Sequence, residues 1–302
     1  MKASKLVQVI LFSTSLMGIV CATQAGTMEK ITETKTITMG VRDSSGALSY
    51  TLGDGKYTGF HVEICKRVIA DLEKKLKTPL KVEYQLVTSQ NRIPLVQNGT
   101  VDLECGSTTN NATRQKDVSF AVTTYVEEVR IAVKADSNIT SIAQLVNKKV
   151  ATTTGTTSVQ LLRKHERANG VNFEEIFGKD HADSFLLLES GRADAFVMDG
   201  SILAGNIANA KNPKDFKIVG EVLSVEPIAI MMRKDYPATF KTEVDNSIKA
   251  MMKDGTIAKM YKQWFQDPIP PKGNRVGLDL SENTKNAWAN PNDKPAEDYV
   301  KK

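Results

Sequence analysis

Apolar positions along this chain switch repeatedly between two spacings. From Thr36 to Phe265, short β-rich runs alternate with segments whose apolar residues recur every three or four positions. Thr36–Val41, Leu80–Leu86, Val101–Cys105 and Val129–Val133 read as strands. Phe60, Ile64, Val68 and Leu72, with Cys65 and Ile69 beside them, form one apolar helical face. Ile93–Asn98 reads as a short helix ended by Gly99, and Thr109–Asn111 supplies candidate caps for a short helix through Arg114. A second series follows. Ser141 opens a short helix with Gln144 three residues on, a capping-box pattern. Lys149–Thr153, Ala193–Met198, Phe216–Val219 and Ile228–Met232 read as strands. Thr157–Arg167, a segment opened by Asp180 and running to Glu189, Ile202–Ala210, Ala238–Lys253 and Ile257–Phe265 read as helices. From Asp267 onward, prolines 268, 270 and 271 break the periodicity, and an extended tail wrapped on the surface is expected.

Such alternation predicts an α/β protein with largely parallel sheets. The strands Val129–Val133 and Ile228–Met232 bracket a block of roughly 95 residues, the size of a small domain. The chain is therefore expected to form two lobes. Residues 26–133 and 228–302 make the first, and residues 134–227 make a second lobe inserted into it. The chain crosses between them twice, which implies a two-stranded hinge with a cleft beneath.

Residues 1–25 stand apart from this pattern. Lys2 and Lys5 precede a mostly apolar run from Leu6 to Val20, and small and polar residues follow to Ala25. This reads as a secretory signal peptide cleaved after Ala25. The run carries Gln8, Ser13, Thr14 and Ser15, and is too short and interrupted to span a membrane. Cys21 raises a lipid-anchored alternative, which Val20 in place of a small residue disfavours. About 277 of the 302 residues remain, and loss of the two lysines lowers the formal charge from +5 to +3. The charges are scattered, so nothing points to nucleic acid. Cys65 and Cys105 sit among apolar residues and read first as buried thiols, with a bridge between them as the alternative. Three histidines and two cysteines without ligand spacing indicate neither a metal site nor a cofactor.

Chemistry concentrates in Thr88–Phe120. This stretch holds Arg92 and Arg114 with Ser89, Ser107, Thr108 and Thr109, and no nucleophile–base pair or phosphate loop. It suits a small anion, because the planar guanidinium fork holds a carboxylate bidentately. Taken singly, Arg114 reads as a solvated helix residue, Asp199 as a turn or N-cap acid, and His181 as a helix-start decoration.

Longer stretches carry a resemblance. Gly59-Phe60-His61-Val62-Glu63-Ile64 followed by Val68-Ile69 resembles the signature of the bacterial extracellular solute-binding proteins, family 3, the periplasmic receptors of amino-acid ABC importers. It departs at His61, where the family usually has an acid. Thr88-Ser89-Gln90-Asn91-Arg92-Ile93-Pro94, Glu104 to Asn111, Gly155-Thr156-Thr157-Ser158, Glu189-Ser190-Gly191-Arg192-Ala193 and Pro268-Ile269-Pro270-Pro271-Lys272 resemble its glutamate/aspartate-binding subgroup. The resemblance implies a type II periplasmic-binding fold, closing on L-glutamate or L-aspartate. It also implies a periplasmic location, an ABC permease with transmembrane subunits and an ATPase as partner, and a monomeric receptor. Arg114 matches the arginine that grips the α-carboxylate, and Asp199 the acid that takes the α-ammonium. Ser107, Thr109 and, from the opposite lobe, Thr157 match head-group contacts. Arg42, Ser89, Arg92 and His181 match the set around the side-chain carboxylate.

Arg42, Arg92 and Arg114 against Asp199 leave two positive charges in excess, which suits a ligand with two carboxylates and one ammonium. Two other readings remain. The same fold carries dehydratase activity in some exported proteins, but that needs an acid over an apolar ring pocket. A sensor or adhesin module that keeps the amino-acid-binding fold is the other.

Overall fold

The computed structural model describes residues 26–299; the leader expected over 1–25 lies outside them. Helix α1 (Thr27–Thr34) leads into strand β1 (Thr36–Val41). A small meander of β2 (Ser44–Ser45), β3 (Ser49–Gly53) and β4 (Lys56–Thr58) precedes helix α2 (Phe60–Leu76). Next come β5 (Lys81–Leu86), α3 (Arg92–Gln97), β6 (Leu103–Glu104) and β7 (Ser119–Phe120). The second series is β8 (Tyr125–Lys134), β9 (Lys149–Thr153), α4 (Thr157–Asn169), β10 (Glu174–Gly178), α5 (His181–Glu189), β11 (Ala195–Asp199), α6 (Gly200–Asn209) and β12 (Phe216–Ile228). The chain then returns through β13 (Met231–Met232), α7 (Thr239–Lys253), α8 (Thr256–Tyr261) and α9 (Glu282–Ala289). Among the described residues no helix is long and apolar enough to cross a membrane.

Two five-stranded sheets result, ordered β5-β1-β6-β13-β7 and β10-β9-β11-β8-β12. In the first, β1 pairs in parallel with β5 and β6, and β13 runs antiparallel between β6 and β7. In the second, β9 pairs in parallel with β10 and β11, and β8 lies antiparallel to β11 and β12. Apolar clusters pack on both faces of the central strands of each sheet, while the edge strand β5 is largely exposed. The apolar face expected on α2 is real, with Phe60, Ile64, Cys65, Val68, Ile69 and Leu72 all buried. Gly59 precedes it at φ +129°, where a Cβ would sit 2.5 Å from the Leu48 carbonyl oxygen, so only glycine fits.

The crossing between lobes comes earlier in the chain than the apolar runs indicate. Val129–Val133 was expected in the first lobe, but β8 belongs entirely to the second sheet. It pairs with β12 from Tyr125↔Ile228 to Phe216↔Lys134, with a slip between Val219 and Ser224. The second sheet therefore takes in the chain from Tyr125 onward. The reason is that β8 and β12 form one long antiparallel ribbon, and the apolar residues of β8 fill the second-lobe cores. Thr124 N–H donates to Ile228 O at 3.0 Å and Ala121 N–H to Ile230 O at 2.9 Å, so the two crossing strands are tied where they leave the first sheet.

The tail also differs. It contains α9, whose Thr284 Oγ1 accepts from Val126 N–H at 3.1 Å. Trp288 Nε1 donates to Thr124 O at 2.8 Å, and Thr123 N–H donates to Asn292 O at 2.8 Å. Ser281 caps α9 by accepting from Thr284 N–H, the signal that a reading dominated by prolines overlooks. The tail thus braces the hinge.

Cys65 of α2 and Cys105, just after β6, form a disulfide across a separation of 40 residues. Replacing both by alanine is expected to lower the unfolding free energy by roughly 2–4 kcal/mol through the lost loop constraint. Urea titration checks this, and an unchanged midpoint would refute the bridge.

Candidate functional site

The ends of β1, β5 and β6 and the starts of α3, α4 and α5 converge between the sheets. Parallel strands deliver their following loops to one edge, so residues far apart in sequence meet there. Arg42 follows β1, Ser89 follows β5, and Arg92 opens α3. Ser107 and Thr109 lie after β6, and Arg114 opens a short 3₁₀ turn. From the second lobe, Thr157 opens α4, His181 opens α5, and Asp199 ends β11. Ser89, Arg92, Ser107, Thr109, Thr157, His181 and Asp199 line one cavity, together with Thr156 and Met198. Arg42 and Arg114 stand behind this lining. All nine are buried except Thr157, which is half-buried. Larger grooves exist, such as one of about 720 Å³ lined by Ile142, Leu161, His165 and Leu223, which holds none of the nine residues.

The hydrogen bonds show how each group is held. Arg42 Nη2 donates to Asp180 Oδ1 at 2.6 Å and to Ser89 Oγ at 3.1 Å. It also lies 3.2 Å from His181 Nε2, while His181 Nδ1 faces Thr153 Oγ1 at 3.0 Å. His181 therefore accepts from Arg42 and stays neutral; burial, then the Arg42 charge, pushes its pKa down to about 3. Arg114 Nη1 donates to Thr109 O at 2.9 Å and Nη2 to Gly155 O at 3.4 Å. Gly155, at φ +81°, packs so closely on Gln90 that a Cβ would lie 2.9 Å from its backbone nitrogen. A glycine is required where the lobes touch.

Arg92 is different. It is buried, and among the described residues it forms no ion pair. Its Nη1 donates to Ser107 O at 3.3 Å, and its Nε has no partner. Burial, then Arg114 and Arg42 among its neighbours, pushes its pKa down to about 9. Arg42 Nε and Nη1 are also without acceptors. Buried guanidinium groups left so under-satisfied call for an anion.

Residues 37–267 match the family model of the bacterial extracellular solute-binding proteins, family 3. The chain belongs to that family. It is 46% identical to an L-glutamate/L-aspartate-binding protein of Pseudomonas aeruginosa, over 90% of each chain. It is 43% identical to a glutamate/aspartate import solute-binding protein of Escherichia coli, over 89% of each. Among solved structures it is similar to an ancestral amino acid-binding protein, AncCDT-1, a precursor of cyclohexadienyl dehydratase. The TM-score there is 0.69 at 29% identity, over 80% of this chain and 100% of that one.

Within this solute-binding protein, acids that the spacing of motifs does not reveal also face the cleft. Glu127 and Glu226 are buried near Asp199, Glu104 is buried near Arg92 and Arg114, and Asp180 is paired with Arg42. The count of three arginines against Asp199 alone is therefore incomplete. Glu104 is an acid inside an apolar strand, and Glu226 precedes Pro227 in a β-rich run; a lone acid in such a run is the signal available. Glu127 and Glu226 face each other across the β8–β12 ladder. Glu127 Oε1 accepts from Ser201 N–H at 3.2 Å, and its Oε2 accepts from the Ser201 hydroxyl, so it anchors the start of α6. Burial, then Glu127 and Glu226, raises the Asp199 pKa well above the ordinary carboxylate range.

Burial also raises Glu127, to about 7, against the pull of Ser201. A raised carboxyl contributes stability that is complete below its unfolded pKa of 4.5 and is lost as the pH rises through 7. Glu127→Gln is expected to flatten the stability–pH curve of the ligand-free protein by roughly 2–4 kcal/mol between about pH 4.5 and pH 8. Urea titrations across that range check it, and identical slopes in variant and parent would count against it.

Proposed function

We propose that this protein is a periplasmic receptor that captures L-glutamate or L-aspartate between its lobes and delivers it to an ABC importer. The observation that carries the reading is Arg92, a buried guanidinium without an ion-pair partner on the wall of the cavity. A distal carboxylate supplies the charge-assisted bonds it lacks, and a distal amide does not. Arg42 already shares one nitrogen with Asp180, so most of the selectivity for an acidic side chain falls to Arg92. The names of the Pseudomonas and Escherichia relatives support the same ligand class.

In this reading Arg114 holds the α-carboxylate and Asp199 the α-ammonium, with Ser107, Thr109 and Thr157 around the head group. Ser89, Arg92, Arg42 and His181 surround the side-chain carboxylate. One ligand then touches both lobes, and its greater affinity for the closed arrangement drives closure. The hinge would be the β8–β12 ribbon, with the inserted lobe starting near residue 125. Binding rather than dehydration is favoured, because guanidinium and hydroxyl groups dominate the cavity wall and no acid stands over an apolar ring pocket.

A thermal-shift screen of the twenty amino acids tests the proposal. L-glutamate or L-aspartate at a hundred times its Kd is expected to stabilise the protein by about 2.7 kcal/mol, and amide or aliphatic amino acids far less. A uniform response, or none to the acidic pair, would sink it. Arg114→Ala is expected to abolish binding of every amino acid. Arg92→Ala is expected to cost acidic ligands about 100-fold or more in affinity and glutamine less than about 10-fold. Calorimetry with equal losses for both classes would overturn the side-chain assignment.

A further inference from the structure

The hinge strand β12 places one carboxylate where the two lobes meet. Glu226 is 3% exposed, and its Oε2 accepts from Thr109 Oγ1 at 2.6 Å and from Thr157 Oγ1 at 2.8 Å. Thr109 belongs to the first lobe and Thr157 opens α4 in the second, so a single oxygen joins both sides of the cleft. The backbone holds it there. Asn110 N–H donates to Pro227 O at 2.8 Å, and Thr109 bridges to Ile228. Glu127, the opposite member of the ladder pair, is committed to Ser201 and does not compete for these hydroxyls. Among the acids near Arg114, Glu226 acts on it most strongly.

This geometry decides what the two hydroxyls can offer. A threonine hydroxyl carries one proton and two lone pairs. With both protons directed at Glu226, Thr109 and Thr157 present only lone pairs to the cavity they line. An ammonium has three N–H groups to give to such acceptors, whereas an α-hydroxyl has one proton and turns its own lone pairs toward the others. Asp199, on the same wall, is also an acceptor when ionised. We propose that Glu226 is a positioning residue that sets the hydroxyl direction of Thr109 and Thr157 and so makes the head-group subsite select an α-amine over an α-hydroxyl. Glu226 itself need not touch the ligand. The proposal rests on the head-group reading given above, in which Asp199 takes the α-ammonium and these threonines lie around the head group.

The test compares L-glutamate with L-2-hydroxyglutarate, which differs only in carrying a hydroxyl in place of the ammonium. In Glu226→Leu the oxygen shared by the two threonines is lost, and both hydroxyl protons are free to turn toward the cavity. Glutamate affinity is expected to fall about 10- to 100-fold, whereas hydroxyglutarate affinity, read by competition, changes less than about 3-fold. Thr157→Val leaves the acid in place and is expected to narrow the same amine-to-hydroxyl ratio by about 3- to 10-fold, which keeps the idea testable if Glu226→Leu does not fold. Unchanged glutamate affinity in the folded variants overturns the proposal. So does an equal fall for both ligands, the signature of a purely structural bridge. Asp199→Asn separates the two levels. If it binds glutamate like the parent, the head-group reading fails and the role of Glu226 with it. If it loses binding while Glu226→Leu keeps the parent ratio, only the role of Glu226 fails.

Discussion

The cost of burying charge at the meeting of the two lobes organises this protein. Arg42, Arg92 and Arg114 are buried there with Glu104, Glu127, Asp199 and Glu226. Removing such groups from water is expensive unless each finds a partner in good geometry. Most do, and the partners come from both lobes: Arg42 with Asp180, Arg114 with the Gly155 carbonyl, Glu226 with Thr109 and Thr157. The cluster therefore holds together only when the lobes are closed. Among the described residues neither Arg92 nor Arg114 forms an ion pair, and Arg92 Nε has no hydrogen-bond partner.

The hinge follows from the same requirement. A long antiparallel ribbon, β8 with β12, carries two acids side by side under the cleft. Glu127 anchors the start of α6, and Glu226 the start of α4 and the Thr109 loop. Each negative charge lies near a helix N-terminus, where the peptide dipoles favour it. The tail completes the arrangement. Helix α9 and the residues after it bond to Thr123, Thr124 and Val126 at the crossing, and Asn110 Nδ2 donates to Asp293 O at 2.9 Å. The segment that carries Thr109 is thus held by the hinge on one side and by the tail on the other.

His61 shows how a departure from a family pattern is absorbed. It is completely buried, its Nδ1 contacts the Gly106 carbonyl, and its Nε2 lies 2.8 Å from Thr124 Oγ1. Burial lowers its pKa to about 4, so it packs as a neutral ring and not as a charge. It links α2 to the loop bearing Ser107 and to the crossing strand, beside the disulfide that joins α2 to the same loop. The first-lobe wall of the cleft is therefore fixed to the core at several points before any ligand enters.

Local pattern alone made the α/β alternation legible. The α2 face, the strands β1 and β9, and the helix starts at Thr157 and near Asp180 all follow from periodicity and capping, which are short-range effects. The nine candidate residues are picked out by motif resemblance, and the structure places them at the ends of strands and the starts of helices where the two sheets face each other. Other features were not legible. The assignment of β8 to the second sheet depends on pairing with β12, about 90 residues away in sequence. The choice between free thiols and a disulfide depended on α2 lying against the loop after β6. Glu104 and Glu226 are ordinary acids in β-rich runs until folding buries them. Their charge matters only because tertiary packing removes the water, and whether packing does so is decided by partners that sequence spacing does not encode.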